Sequence, residues 1–76
     1  MPTIRVTVLR DDEPVSGHRV VLGISGAGGM TSHELTDSNG AAEFEVEDGQ
    51  EGDVFVDGSN EGHWGSYSAT DITVNL

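Results

Sequence analysis

Apolar and acidic residues alternate strictly over residues 42–47 of this chain. Ala42, Phe44 and Val46 occupy one parity, and glutamates occupy the other. Such alternation is typical of a β-strand with one face toward a core and the other toward water. We therefore predict that the three apolar side chains are buried. The other parity forms a solvated carboxylate row, Glu43, Glu45 and Glu47, which also discourages association between sheets.

The four residues before this strand favour a tight turn. They run Asp37-Ser38-Asn39-Gly40. Aspartate and asparagine can hydrogen-bond their own backbone, and glycine accepts a positive φ at no steric cost. The sequence therefore predicts a hairpin turn that fixes the start of the strand.

The same period of two predicts further strands along the chain. Their inward rows are Ile4, Val6 and Val8; Val20, Leu22 and Ile24; Val54 and Val56; and Ile72, Val74 and Leu76. Val21 and Phe55 point the other way. A bulge or bend is expected near Thr70 and Asp71, where the parity of the last strand shifts.

Three segments interrupt or weaken this pattern. Residues 26–29 are predicted to be a glycine-rich connection, and residues 58–65 to be the longest loop. Residues 30–35 are predicted to be a weak edge strand with Leu35 buried and His33 partly buried, because the segment is polar. An exposed edge of this kind can pair between subunits, so we expect a monomer or a weak homodimer.

No segment keeps apolar residues at helical spacing. About six or seven short strands separated by turns predict an all-β fold, a Greek-key antiparallel β-sandwich that forms a single domain over residues 1–76. A chain of this length buries only about 60% of its unfolded surface. The core is therefore thin, and we do not expect it to enclose an active-site cavity.

Charge excludes one class of partner. The chain has 14 Asp and Glu residues against three arginines, with a formal net charge of −11. Phosphate binding requires basic residues, so we expect no nucleic acid and favour cationic or neutral partners. Cysteine is absent, which excludes disulfides and thiolate metal sites. No apolar run could span a membrane and the first residues do not resemble a signal peptide, so we expect a soluble chain with no membrane insertion.

Three segments together resemble a known pattern. They are 6–20, which contains Glu13-Pro14-Val15-Ser16-Gly17, then 35–44, which contains Thr36-Asp37-Ser38-Asn39-Gly40, then 52–56. They resemble the carboxypeptidase regulatory domain and transthyretin-like superfamily of Greek-key sandwiches, and are nearly as similar to bacterial invasin-type immunoglobulin-like domains. Asp12 stands where such domains often have glycine, and aspartate can adopt the left-handed conformation that the turn requires. The superfamily shares a scaffold rather than a chemistry, so the resemblance implies a fold and, for an excised domain, export.

Oxygen-bearing side chains are expected to collect at one end of the sandwich. Successive loops of an antiparallel sandwich alternate between its ends. The first, third and fifth predicted connections, at 11–14, 37–40 and 58–65, should therefore meet. Carboxylate and amide oxygens are the ligands that Ca²⁺ prefers. The candidate ligands are Asp11, Asp12, Asp37, Asn39, Asp57 and Glu61. The alternative is that these residues form turns and keep the chain in solution.

A second candidate site lies in the predicted loop 58–65 and just after it. Its residues are Asn60, Glu61, His63, Trp64 and Tyr67. Exposed aromatic rings beside hydrogen-bonding groups suit a sugar ring or a peptide. The alternative is that Trp64 folds inward and caps the thin core.

Catalysis is not expected. His18, His33 and His63 have no pair at metal-ligand spacing, and the segment 23–27 resembles an esterase nucleophile turn only loosely, because its last glycine is missing and no helix follows. We therefore expect a non-catalytic structural or protein-interaction module with no cofactor. The alternative is a small-ligand module that binds carbohydrate or Ca²⁺.

Overall fold

The computed structural model describes residues 2–26 and 29–76, and the part described is all β. Residues 27 and 28 of the predicted glycine-rich connection lie outside the described residues. The strands are β1 (Thr3–Arg10), β2 (Glu13–Pro14), β3 (Arg19–Ile24), β4 (Gly29–Met30), β5 (Glu34–Leu35), β6 (Ala41–Glu45), β7 (Glu51–Val56), β8 (Ser59–Gly65) and β9 (Asp71–Asn75).

These strands form two sheets packed as a sandwich, which confirms the predicted fold class. In the first sheet β1 pairs with β2, β6 and β9. In the second sheet β3 pairs with β4, β5 and β7, and β7 pairs with β8. All pairs are antiparallel except β1 with β9, which run parallel from Arg5 opposite Asp71 to Leu9 opposite Asn75. The parallel pair arises because β8 ends in the second sheet, and the turn at 66–70 carries the chain across to β1.

The core consists of the inward rows that alternation predicts. Ile4, Val6, Val8, Val20, Leu22, Ala42, Phe44, Val46, Val54, Val56 and Val74 are all buried. Ile24 and Ile72 are half-buried and pack against the same cluster. The glutamates of the β6 row are exposed as predicted. Period two therefore assigns the two faces of β1, β3, β6 and β7 correctly.

The turn before β6 is also confirmed. The carboxylate of Asp37 accepts hydrogen bonds from the N–H groups of Asn39 and Ala41, at 2.8 and 3.0 Å. Gly40 has φ of +74° and packs against the carbonyl of Val8. Asp12 has φ of +66°, which shows that aspartate does adopt the left-handed conformation at this turn.

Three burial predictions at the chain's weaker segments are wrong. Leu35 is 60% exposed, and His33 and Leu76 are also exposed. The predicted strand over 30–35 is two short pieces, β4 and β5, at the edge of the second sheet, with residues 31–33 between them. Leu35 lies opposite Arg19, whose side chain is on the outer face, so the register turns Leu35 outward. Leu76 follows the end of β9.

The largest difference concerns the predicted loop at 58–65, which is almost entirely strand β8. The connection shrinks to Asp57 and Gly58, which have φ of +51° and +87°. An Asp-Gly pair is the sequence favoured in a two-residue hairpin turn, because both positions require positive φ. The register of β8 against β7 shifts between Val54 and Phe55. Near Thr70 the chain bends rather than bulges, because it turns at 66–68 before β9 begins at Asp71.

Candidate functional site

The loops predicted to meet at one end of the sandwich do meet. The N–H of Gly17 donates to the carbonyl of Thr36 at 2.9 Å, which joins the segment before β3 to the segment before β6. Nδ1 of His18 lies 2.7 Å from Oδ2 of Asp57, which joins the segment before β3 to the turn between β7 and β8. These contacts bring the three segments together at one end of the sandwich.

Two carboxylates at this end, those of Asp37 and Asp57, accept hydrogen bonds. Hydrogen bonds from Ala41 and Asn39 hold the pKa of Asp37 below its usual value. The bond to His18 and a further bond from the backbone N–H of Arg19 lower the pKa of Asp57 in the same way. Each carboxylate thus has a structural partner already.

The proposed Ca²⁺ ligands do not form a metal cluster. In residues 2–26 and 29–76, no three Asp, Glu or His side chains come close enough to hold one ion. Asp11, Asp12 and Asn39 lie in exposed turns, Asp37 and Asp57 have the partners described above, and Glu61 is exposed on β8. Turn formation accounts for Asp37 through its hydrogen bonds, and for Asp11 and Asp12 through their positive φ. Asp57 also has positive φ, and its carboxylate binds His18 and Arg19 near the start of β3.

The predicted aromatic loop is split between the inside and the outside of the sandwich. Trp64 is only 2% exposed, and its indole N–H donates to the carbonyl of Gly23 at 3.0 Å. Tyr67 is 78% exposed in the turn after β8. Asn60, Glu61 and His63 are exposed on β8, and His63 pairs with Asp53 at 2.7 Å. The structure confirms the alternative in which Trp64 belongs to the core.

A groove of about 660 Å³ lies on the outer face of the second sheet. We call it the outer groove. It is lined by Arg19, Val21, Met30, Thr31, Ser32, His33, Phe55 and Gly58. Alternation predicts that Val21 and Phe55 both point outward, but it does not predict that they are neighbours. The register of β3 against β7 sets them directly opposite each other.

The wall of the outer groove depends on a glycine. A Cβ atom at Gly23 would lie 2.8 Å from a ring carbon of Phe55. Real Cβ contacts of that length are essentially never seen, so the ring lies over β3 because position 23 has no side chain. The carbonyl of the same glycine holds Trp64 on the inner side. The two aromatic rings therefore pack near one glycine from opposite sides of the sheet.

Thr31 fixes the opposite wall of the outer groove to β3. Its N–H donates to the carbonyl of Leu22 at 2.9 Å, and its hydroxyl oxygen accepts the N–H of Leu22 at 3.0 Å. The hydroxyl hydrogen is not used in these bonds and can be donated to a bound molecule. Ser32 and His33 continue this wall, and no hydrogen bond joins the two, so the hydroxyl of Ser32 is not paired with a base.

The two outer faces of the sandwich differ in chemistry. On the first sheet, the outward parity places Arg5 opposite Glu43 and Asp71, with threonines beside them. On the second sheet, Val21 and Phe55 are half-buried, and Met30 is 60% exposed. The first face is polar apart from the half-buried Leu9 near its edge, and the second is apolar at its centre.

Comparison of the chain with protein families, curated proteins and solved structures gives no match. Among the described residues, no helix has the length and apolar character needed to cross a membrane.

Proposed function

We propose that this chain is a non-catalytic protein-interaction module whose contact surface is the outer face of the second sheet, centred on the outer groove. The observation that carries the proposal is the difference between the two outer faces. A two-layer sandwich fills its core from the inner faces, so apolar side chains on an outer face add little to that core. Contiguous apolar surface on a small protein is typical of a binding site.

The composition of the apolar face supports a protein partner. Leu35 lies on this face beyond the outer groove and is as exposed as Met30. A second exposed apolar side chain thus stands on the same face, opposite Arg19 on the neighbouring strand. Methionine and aromatic residues are also enriched at the centre of protein interfaces.

The resemblance to transthyretin-like and immunoglobulin-like sandwiches is part of the same proposal. The two-sheet architecture and the turn at Asp37 to Gly40 support it. Function does not follow from that architecture, so the outer groove carries the argument. Of the small-ligand alternatives, a carbohydrate site built on Trp64 loses its main ring to the core.

Site-specific crosslinking tests the proposed contact surface. A photoreactive amino acid is placed at Ser32, on the rim of the outer groove, or at Thr73, on the outer face of the first sheet. Both variants are exposed to extract of the source organism, and any crosslinked protein is identified and purified. We expect one discrete crosslinked protein from position 32 and none from position 73.

Affinity of the purified partner then tests the surface quantitatively. Met30→Asp should weaken binding about tenfold or more, because a partly exposed apolar contact becomes a charge. Thr73→Asp adds the same charge on the opposite face and should leave the affinity unchanged. Equal effects of the two substitutions, or equal crosslinking from both faces, would contradict the proposal.

A further inference from the structure

The outer groove differs in charge from the rest of the molecule. None of the 14 Asp and Glu residues lines it, whereas one of the three arginines does. On a chain with a net charge of −11, a groove with one cation and no carboxylate in its lining is a local exception. It is therefore suited to a group with a single negative charge.

Arg19 is anchored by its backbone while its side chain is free to bind. Its N–H donates to Oδ1 of Asp57 at 3.2 Å, and its carbonyl accepts the N–H of Asp57 at 2.8 Å. Its guanidinium forms no ion pair with any carboxylate in the described part of the chain. The carboxylate of Asp57 is occupied by His18. The backbone of Arg19 is thus fixed at the start of β3, close to Val21 and Phe55.

The groove places this cation next to an apolar surface and to hydroxyl groups. Arg19 and Val21 are two residues apart on the same strand face, a spacing of about 7 Å. Phe55 lies opposite Val21 on the neighbouring strand. Thr31 offers a hydroxyl hydrogen on the facing wall. A matching ligand carries a carboxylate and an apolar group within a few ångströms of each other.

In a polypeptide, the C-terminal residue meets this requirement most directly. Its carboxylate and its side chain are attached to the same α-carbon. Adjacent residues of an extended chain point to opposite sides, and an acidic residue that shares a face with an apolar one lies two positions, about 7 Å, away, so only a chain end carries both groups on one α-carbon. A chain end also brings only one negative charge toward an acidic molecule, which keeps repulsion small.

We propose that the outer groove binds the C-terminal residue of a partner protein, with the apolar side chain against Val21 and Phe55 and the carboxylate at Arg19. This inference rests on the proposed contact surface and names what that surface recognises. Thr31 donates its hydroxyl hydrogen to the same carboxylate. Capture of a terminal carboxylate is an established mode of peptide recognition.

Nuclear magnetic resonance titration of the folded chain tests this inference with defined probes. N-acetyl-phenylalanine has the carboxylate and the apolar group, and N-acetyl-phenylalaninamide lacks only the charge. We expect the acid to shift the amide signals of Val21, Thr31 and Phe55 with a Kd of about 1 mM, typical of so small a ligand. The amide should bind about fivefold more weakly, because it loses one exposed charge pair.

Two matched substitutions separate a local contact from general charge effects. Arg19→Gln should abolish the preference for the acid, and Arg19→Lys should retain most of it. Arg5→Gln removes the same charge from the outer face of the first sheet and should leave the preference intact. An N-acetylated Gly-Gly-Gly-Phe peptide with a free carboxylate should bind at least as well as the single residue.

Several outcomes would overturn the inference. They are equal binding of acid and amide, equal effects of Arg19→Gln and Arg5→Gln, no shift in the outer groove, or loss of binding when the ligand is extended to the tetrapeptide. The last result would show that the groove takes free small acids and not a chain end. None of these outcomes decides the proposed contact surface, which the crosslinking and the Met30→Asp affinity measurement test separately.

Discussion

Replacing Gly40 by alanine should destabilise this chain strongly, for two separate reasons. The first is conformational, because φ is +74° and an L-residue in the left-handed region costs about 1–2 kcal/mol. The second is steric, because the new Cβ would lie 2.7 Å from the carbonyl oxygen of Val8 and 2.9 Å from Cβ of Pro14. Overpacking against neighbours that cannot move costs about 1–3 kcal/mol.

Gly58 offers a matched control for the conformational part. Its φ is +87°, and a Cβ there would meet nothing within 4 Å. Gly58→Ala should therefore lose only about 1–2 kcal/mol, and Gly40→Ala about 2–5 kcal/mol. A chain of this length has a free energy of unfolding of roughly 4–11 kcal/mol, so the Gly40 variant loses a large share of its stability.

Urea unfolding followed by the fluorescence of Trp64 provides the assay, because this residue is the only tryptophan and is buried in the core. Thermal unfolding gives a second measure, since 1 kcal/mol shifts the Tm of a domain this size by about 4–8 °C. Equal losses for Gly40→Ala and Gly58→Ala would refute the reasoning. They would show that the turn before β6 does not pack against β1 and β2.

Two further predictions concern the core tryptophan and the turn carboxylate. Trp64→Phe should lower the free energy of unfolding by about 2–4 kcal/mol, because it leaves a cavity and removes the indole hydrogen bond to the carbonyl of Gly23. Unfolding in urea followed by circular dichroism measures this loss. The fluorescence of wild-type Trp64 should have a short emission wavelength and be quenched little by acrylamide. A red-shifted, readily quenched emission would contradict the buried position. The pKa of Asp37 is lowered by bonds from Ala41 and Asn39, so its contribution to stability is present above its ordinary pKa of 3.8 and is lost as pH falls through the lowered value. Asp37→Asn can keep both bonds without titrating. The difference in free energy of unfolding between wild type and variant should therefore change between about pH 5 and pH 2. A constant difference in urea unfolding across that range would oppose this account.

The part of the fold that sequence could predict is the part set by neighbours along the chain. Alternation assigned Phe44 to the core because a strand's side chains change sides at every residue. The Asp37 to Gly40 turn followed from residues that hydrogen-bond their own backbone or accept positive φ. The same rule applied to Asp57 and Gly58 predicts the β7–β8 hairpin. The prediction of a loop over 58–65 left this turn out and therefore missed β8.

The candidate site depends on contacts between residues far apart in sequence. Val21 and Phe55 each appeared as an isolated outward residue, and only the register of β3 against β7 makes them one surface. Leu35 belongs to a strand of two residues, too short for alternation to show which way it faces. The inward position of Trp64 was one of two alternatives from sequence, and its hydrogen bond to the carbonyl of Gly23 joins two strands in a way that no local pattern indicates.

The sequence by itself thus determined the fold class, the main inward rows and the turn that starts β6, because each follows from the chemistry of adjacent residues. Tertiary structure alone decided which outward residues share a face, which carboxylates already have partners, and that an arginine lies beside an apolar wall on a highly acidic chain. The physical reason is that strand register and sheet packing are set by the whole core at once. A surface built from several strands therefore exists only after the core has formed.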